Sequence, residues 1–234
     1  MLPPLHHLLI LSALGLGMGT SPAGLVRAPL ADHLFGSSLP FVTETTAATD
    51  LRADHNLVPG QRVGPVTATT SRVQLAQIYG EAVLRDELVP VGEGFTEPGT
   101  VVNPGTDQQF TILWLDQQRR RPLLAKDFGL AWKTPEGIGL GMTYADLQQV
   151  LGRFQVYGFE WDYGGSVSLQ GSHLETYYGE LILRLSADQS AIAQHPQAYL
   201  AVMGDRLFPS NDPNLAVLDL TVTSMLVYLN KTGE

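Results

Sequence analysis

The sequence contains no cysteine. That absence excludes disulfides, thiolate nucleophiles, thiolate zinc sites and iron–sulfur clusters together. Stability must come from packing, which a chain of 234 residues with 44% hydrophobic composition can supply. Positive charge is also scarce: 14 basic residues face 23 acidic ones, for a net charge of −9. Phosphate binding needs a basic face, so nucleic acid is not an expected partner. The one dense basic cluster, Arg119-Arg120-Arg121 closed by Pro122, reads as a solvated turn after Trp114-Leu115-Asp116-Gln117. Catalytic motifs are missing too. There is no Gly-x-Ser-x-Gly elbow and no His-Glu-x-x-His helix, and the six histidines show no metal-ligand spacing beyond the first stretch of chain. Gly137-x-Gly139-x-Gly141 lacks the further glycine of a dinucleotide loop and has no Walker lysine after it. No metal and no cofactor is expected.

Residues 1–23 carry no charge, and Leu8 to Leu16 form an apolar run of signal-peptide length, with Ser21-Pro22-Ala23 offering a small-x-small cleavage site. The expected location is therefore outside the cytoplasm, periplasmic or extracellular, with no membrane span once the signal is removed. Residues 24–60 show no sustained period and read as a spacer, in which Leu39-Pro40-Phe41-Val42 is a candidate docking segment.

The most organised stretch runs from Glu136 to Tyr163. Thr143 and Asp146 have the spacing of a capping box. Met142 and Leu147 form a hydrophobic staple, and Tyr144, Leu147, Val150 and Leu151 recur at helical spacing. Gly152 ends the helix. A displacement of 72 positions repeats the pattern: Ser71 falls on Thr143, Gln74 on Asp146, Leu75 on Leu147, Ile78 on Val150 and Gly80 on Gly152. This predicts a duplicated helix-plus-sheet unit. Gly141-Met142-Thr143 with Leu147 and Leu151-Gly152 resembles the helix start of small outer-membrane assembly lipoproteins of the SmpA/OmlA type. Two such units in tandem resemble the β-lactamase-inhibitor-protein fold, which implies a helix laid on an antiparallel sheet, repeated. The chain lacks the lipid-accepting cysteine of those lipoproteins.

The predicted class is α+β, with a first unit over 61–133, a second over 134–207, and a closing loop and strand over 208–234. In the first unit Ala82 to Val89 is an expected strand, Gly92 to Gly99 a loop, and Phe110, Ile112 and Trp114 alternate as a half-buried strand. Leu123-Leu124-Ala125 and Leu130-Ala131-Trp132 return the chain. In the second unit Ser166 to Leu169, His173 to Tyr178 and Glu180 to Ser186 are expected strands. Ala187 to Met203 is a helix interrupted near His195-Pro196, Phe208 to Pro213 a loop, and Leu218 to Leu229 a strand whose apolar phase slips at Ser224.

The candidate binding surface lies just after the second helix. On one strand, Tyr157, Phe159, Trp161 and Tyr163 share a face, and Val156, Gly158, Glu160 and Asp162 share the other. Aromatic rings in a row suit the core or, if exposed, a partner protein or a sugar. Glu160 and Asp162 would stand about 7 Å apart by strand rise, a separation that carboxylate pairs use on glycosides, with Glu175 and Glu180 nearby in sequence. Catalysis is not the leading expectation. The expected function is a non-catalytic exported module that binds another protein through a sheet face or loop; the alternative is a carbohydrate-binding or carbohydrate-active protein that uses the Glu160–Tyr163 region.

Overall fold

The computed structural model describes residues 52–230. The signal segment and Leu39–Val42 lie outside the described residues. Capping chemistry sets where the two main helices begin. Helix α1 (Arg72–Tyr79) opens on a complete capping box: Ser71 Oγ accepts from the Gln74 N–H at 3.3 Å, and the Gln74 side chain accepts from the Ser71 N–H at 2.8 Å. Helix α2 (Tyr144–Leu151) opens on half of one. Thr143 Oγ1 accepts from the Asp146 N–H at 3.2 Å, but the Asp146 carboxylate takes the threonine hydroxyl proton at 2.7 Å and does not reach the backbone. Both helices stop at a glycine with positive φ, Gly80 and Gly152.

After α1 the chain forms an antiparallel meander of β4 (Leu84–Gly92), β5 (Phe95–Val102), β6 (Phe110–Trp114) and β7 (Pro122–Lys126). Ahead of α1, β1 (Leu57–Val58), β2 (Arg62–Val63) and β3 (Val66–Thr67) make a small sheet of their own. After α2 come β8 (Gln155–Tyr157), β9 (Val167–Ser168) and β10 (Leu181–Ser186), then α3 (Gln189–Gln194), α4 (Pro196–Ala201), β11 (Leu207–Pro209), α5 (Pro213–Ala216) and β12 (Thr221–Tyr228). Strands from both halves enter one six-stranded sheet in the order β10-β12-β7-β6-β5-β4, and β11-β8-β9 form a third sheet. Every pairing between named strands is antiparallel.

One continuous core joins Leu75 of α1 and Leu147 and Leu151 of α2 to Phe110, Ile112, Leu183, Met225 and Val227 of the large sheet. Trp132 is its anchor. Only 1% exposed, it meets Phe110 edge-on at 4.8 Å and donates its indole N–H to the Gln108 carbonyl at 3.1 Å. Strand alternation turns Leu113 and Leu124 to the sheet's other face, where Val89 closes over them. The β4–β5 hairpin folds against that face at Gly99. A Cβ there would lie 2.4 Å from Val89 Cγ2 and 3.0 Å from the Ile112 carbonyl oxygen, so a larger residue would force the Val89 side chain to move.

The structure corrects several sequence expectations. Leu57 is fully buried in β1, so the spacer expected over 24–60 has ended before it. Phe95 to Gly99 is strand and not loop, because Glu93 and Gly94 alone, both at positive φ, make the hairpin turn. Leu130–Trp132 form no strand: Leu130 and Ala131 make a turn and Trp132 follows it. Glu175–Tyr177 is a 3-10 turn where a strand was expected; Ser172 accepts from the Leu174 N–H at 3.2 Å and starts it. Within 208–213 the chain begins with strand β11. The helix break does fall at His195, between α3 and α4.

One polar cluster ties the sheet edge to the elements beside it. Asp86 on β4 receives Arg72 Nε of α1 at 2.9 Å, Arg119 of the β6–β7 turn at 2.7 Å and the Thr100 hydroxyl, while Thr100 accepts from the buried Trp114 indole at 2.9 Å. Arg72 also holds Glu81 at 2.6 Å. Burial pushes the Asp86 carboxyl up, but the hydrogen bonds from Arg72 and Thr100 and the charges of Arg72 and Arg119 outweigh it and hold it below the usual aspartate range. A depressed folded-state pKa contributes stability above the unfolded value of about 3.9, and that stability is lost as pH falls through the folded value. Asp86→Asn should therefore lower the unfolding free energy by about 1–3 kcal/mol at neutral pH. The gap from the wild type should close below about pH 4. Urea titrations at several pH values measure both, and a gap that does not change with pH would remove the carboxylate from this role.

Candidate functional site

Beyond Tyr157, the last residue of β8, the residues of the candidate surface occupy a loop and not a strand. β8 ends at Tyr157 because Gly158 passes flush against a neighbouring segment: a Cβ on Gly158 would lie 2.3 Å from the Gly204 carbonyl oxygen and 2.8 Å from that of Val202. Phe159 then pairs with the same segment, donating to Val202 O at 3.0 Å and accepting from Gly204 N at 3.1 Å. Glu160 takes a positive φ of 65°, the chain turns, and the Gly164 N–H closes on Trp161 O at 2.7 Å. Gly165 returns to Tyr157 O at 3.0 Å.

This path separates the four aromatic rings. Phe159 is buried and stacks on Tyr199 of α4, with centroids 5.5 Å apart and planes 27° apart. Trp161 is 62% exposed and Tyr163 38% exposed. Tyr157 is half-buried, with its ring centroid 5.8 Å from that of Tyr163, and Leu207 of β11 stands directly across from it in register. The expected single face is thus one core ring and three surface rings. The other expected face dissolves as well: Val156 and Gly158 are buried, whereas Glu160 and Asp162 are exposed on the turn.

Polar contacts brace the loop from outside. The Tyr199 hydroxyl donates to the Glu160 carboxylate, and Arg184 of β10 donates to the Asp162 carbonyl at 2.8 Å. Burial first, and then the Glu160 carboxylate, push the Tyr199 phenol up to about 12. Burial, together with Tyr178, Asp205 and Tyr163 nearby, also raises Tyr157. Both phenols therefore remain hydrogen-bond donors at neutral pH. Glu160 and Asp162 do not share a strand face. Glu160 is engaged by Tyr199, Glu175 opens the 3-10 turn, and the Glu180 carboxylate lies against Gly60. Among the described residues no group of three or more His, Asp or Glu side chains is placed to hold a metal ion, and no helix is long and apolar enough to cross a membrane.

Tyr199, Arg184, Leu207 and the Val202–Gly204 segment complete this surface, and none was singled out from sequence. Each lies more than twenty positions from residues 157–163, beyond the reach of any local periodicity.

The chain is an α+β protein. No protein-family model matches it, and no curated protein matches it. Among solved structures it is similar to the crystal structure of the uncharacterized protein yfeY from Escherichia coli, at 14% identity and a TM-score of 0.43, over 73% of this chain and 98% of that one.

The three indoles differ enough in exposure to be told apart by quenching, since Trp114 and Trp132 are 5% and 1% exposed. Trp161→Phe should remove most of the acrylamide-quenchable emission of the folded protein, while Trp114→Phe and Trp132→Phe leave it in place. Unchanged quenching in Trp161→Phe would mean that this ring is covered.

Proposed function

We propose that this protein is a non-catalytic exported module that binds another protein through the surface carried by residues 157–163. The observation that supports this reading is the exposure of Trp161 on a loop that is otherwise fixed. A 62% exposed indole sits on backbone held by Val202, Gly204, Arg184 and Tyr199. A large ring presented by a pre-ordered loop gives contact area with little further loss of conformational entropy, the property that distinguishes binding hot spots. Tyr163 and Tyr157 extend the surface with hydroxyl tips, and that of Tyr157 remains a donor. The uncharged apolar run before residue 24 supports export, and the matched capping positions of α1 and α2 support descent from a duplicated unit of the SmpA/OmlA type.

A photo-crosslinking residue placed at Tyr163 should capture one discrete protein in cells, whereas the same residue at the exposed Val73 of α1 should not. With that partner purified, Trp161→Ala should weaken binding by roughly thirtyfold or more and leave the unfolding midpoint unchanged. Trp161-dependent binding on a glycan array, without a protein adduct, would replace this reading with the carbohydrate one.

A further inference from the structure

The two edges of the six-stranded sheet are treated differently. At the β10 edge the chain closes the strand itself: Leu185 N donates to Gly165 O at 2.8 Å, and Ser166 bridges Arg184. At the other edge, among the described residues, no strand pairs with the outer side of β4. Its polar groups can be assigned. Asn103 N donates to Val83 O at 2.9 Å while Leu84 stands opposite Val102, which makes Leu84/Val102 a pair without mutual hydrogen bonds. Alternation gives the same status to Asp86/Thr100, Leu88/Pro98 and Pro90/Thr96. The backbone N–H and C=O groups of Asp86 and Leu88 and the C=O of Leu84 therefore point outward, while the Leu84 N–H is taken by the Glu81 carbonyl. The prolines agree, since Pro90 and Pro98 occupy positions where the β4–β5 ladder needs no donor. The Pro90 carbonyl is taken by Lys126 Nζ at 3.0 Å, so the open segment is Leu84 to Leu88.

We propose that this segment pairs antiparallel with the same segment of a second copy of the chain, centred on Asp86. In that register the three outward residues meet one another: Asp86 faces Asp86 and exchanges both backbone bonds, and Leu84 faces Leu88 of the second copy, accepting at its carbonyl from the Leu88 N–H while its own N–H stays on Glu81. Arg85 faces Glu87 on both sides of the centre. Those two side chains already form an ion pair at 2.7 Å within one strand, so pairing produces a closed network of two arginines and two glutamates. The Asp86 carboxylates meet already neutralised by Arg72 and Arg119. Leu88, 66% exposed in the single chain, gains Leu84 as a neighbour. Charge also selects the register. Centring on Arg85 sets arginine against arginine and also loses backbone bonds, and centring on Glu87 sets glutamate against glutamate. This contact is independent of the 157–163 surface.

Sedimentation from about 1 μM to about 1 mM should show reversible dimer formation by the wild-type protein. Arg85→Glu and Glu87→Arg should each weaken the dimer on the order of tenfold or more, with circular dichroism unchanged. An equimolar mixture of the two variants should associate again, because each copy then faces opposite charge, and the double variant should dimerise like the wild type. A monomer throughout the range would overturn the proposal. So would a dimer indifferent to both reversals, or a mixture that stays dissociated.

Discussion

The structure depends on where β12 lies. This strand lies next to the β10 edge of the large sheet, with β10 along one side and β7 on the other through Val227/Ala125 and Tyr228/Leu124. Without it β10 would have no strand beside it in that sheet and β7 would be a bare edge. Leu229 and Asn230 both donate to Leu123 O, and the Asn230 amide reaches the carbonyls of Ala68 and Pro122. At its other end the strand holds the start of α2: Val222 exchanges bonds with Gly141 and Met142, and Tyr144 N donates to Leu220 O. Cap, helix and sheet are thus set by a strand far along the chain from β7 and α2, a non-local arrangement that slows folding relative to a bundle of the same size.

The position of the exposed loop follows from that arrangement. β10 is fixed by β12, and its outer edge fixes Gly165 and Ser166, the downstream end of the loop. The upstream end is fixed by Gly158 lying against Val202–Gly204, at the end of the helical segment that leaves β10. Between these anchors Phe159 supplies the apolar contact, and the turn carries Trp161 outward. Exposure of Trp161 is therefore a product of two backbone constraints and not of a slack loop.

What could be read in the sequence divides along the same line. The caps at Ser71 and Thr143, the glycine stops and the helix break at His195 were legible because each is decided within a few residues. The phase slip at Ser224 was legible for a similar reason: opposite it, Arg184 pairs Ser224 while Leu185 pairs Val222, leaving Thr223 as the extra residue of a bulge. The aromatic alternation from Tyr157 to Tyr163 had the correct period for a strand and was still misleading. What ends β8 is a backbone approach from residues 202–204, and Gly158 was the only local trace of it. Phe95–Gly99 misled in the opposite sense. Its proline and acids resemble a loop, yet an outer hairpin tolerates them because Pro98 sits where its partner strand asks for no N–H.

The edge of β4 carries the two devices that keep strand edges from associating, charged side chains and a proline. Such devices act by mismatch, and their effect depends on what arrives. A foreign apolar strand placed along Leu84 to Leu88 would bury Arg85 and Glu87 against nothing, at a desolvation cost that the backbone bonds would have to offset. A copy of the same strand arrives with the complementary charges in place, and in one register only. The sequence that repels indiscriminate pairing therefore admits one partner, because Arg85 and Glu87 are equally spaced about an aspartate whose own charge is already balanced from the helix side.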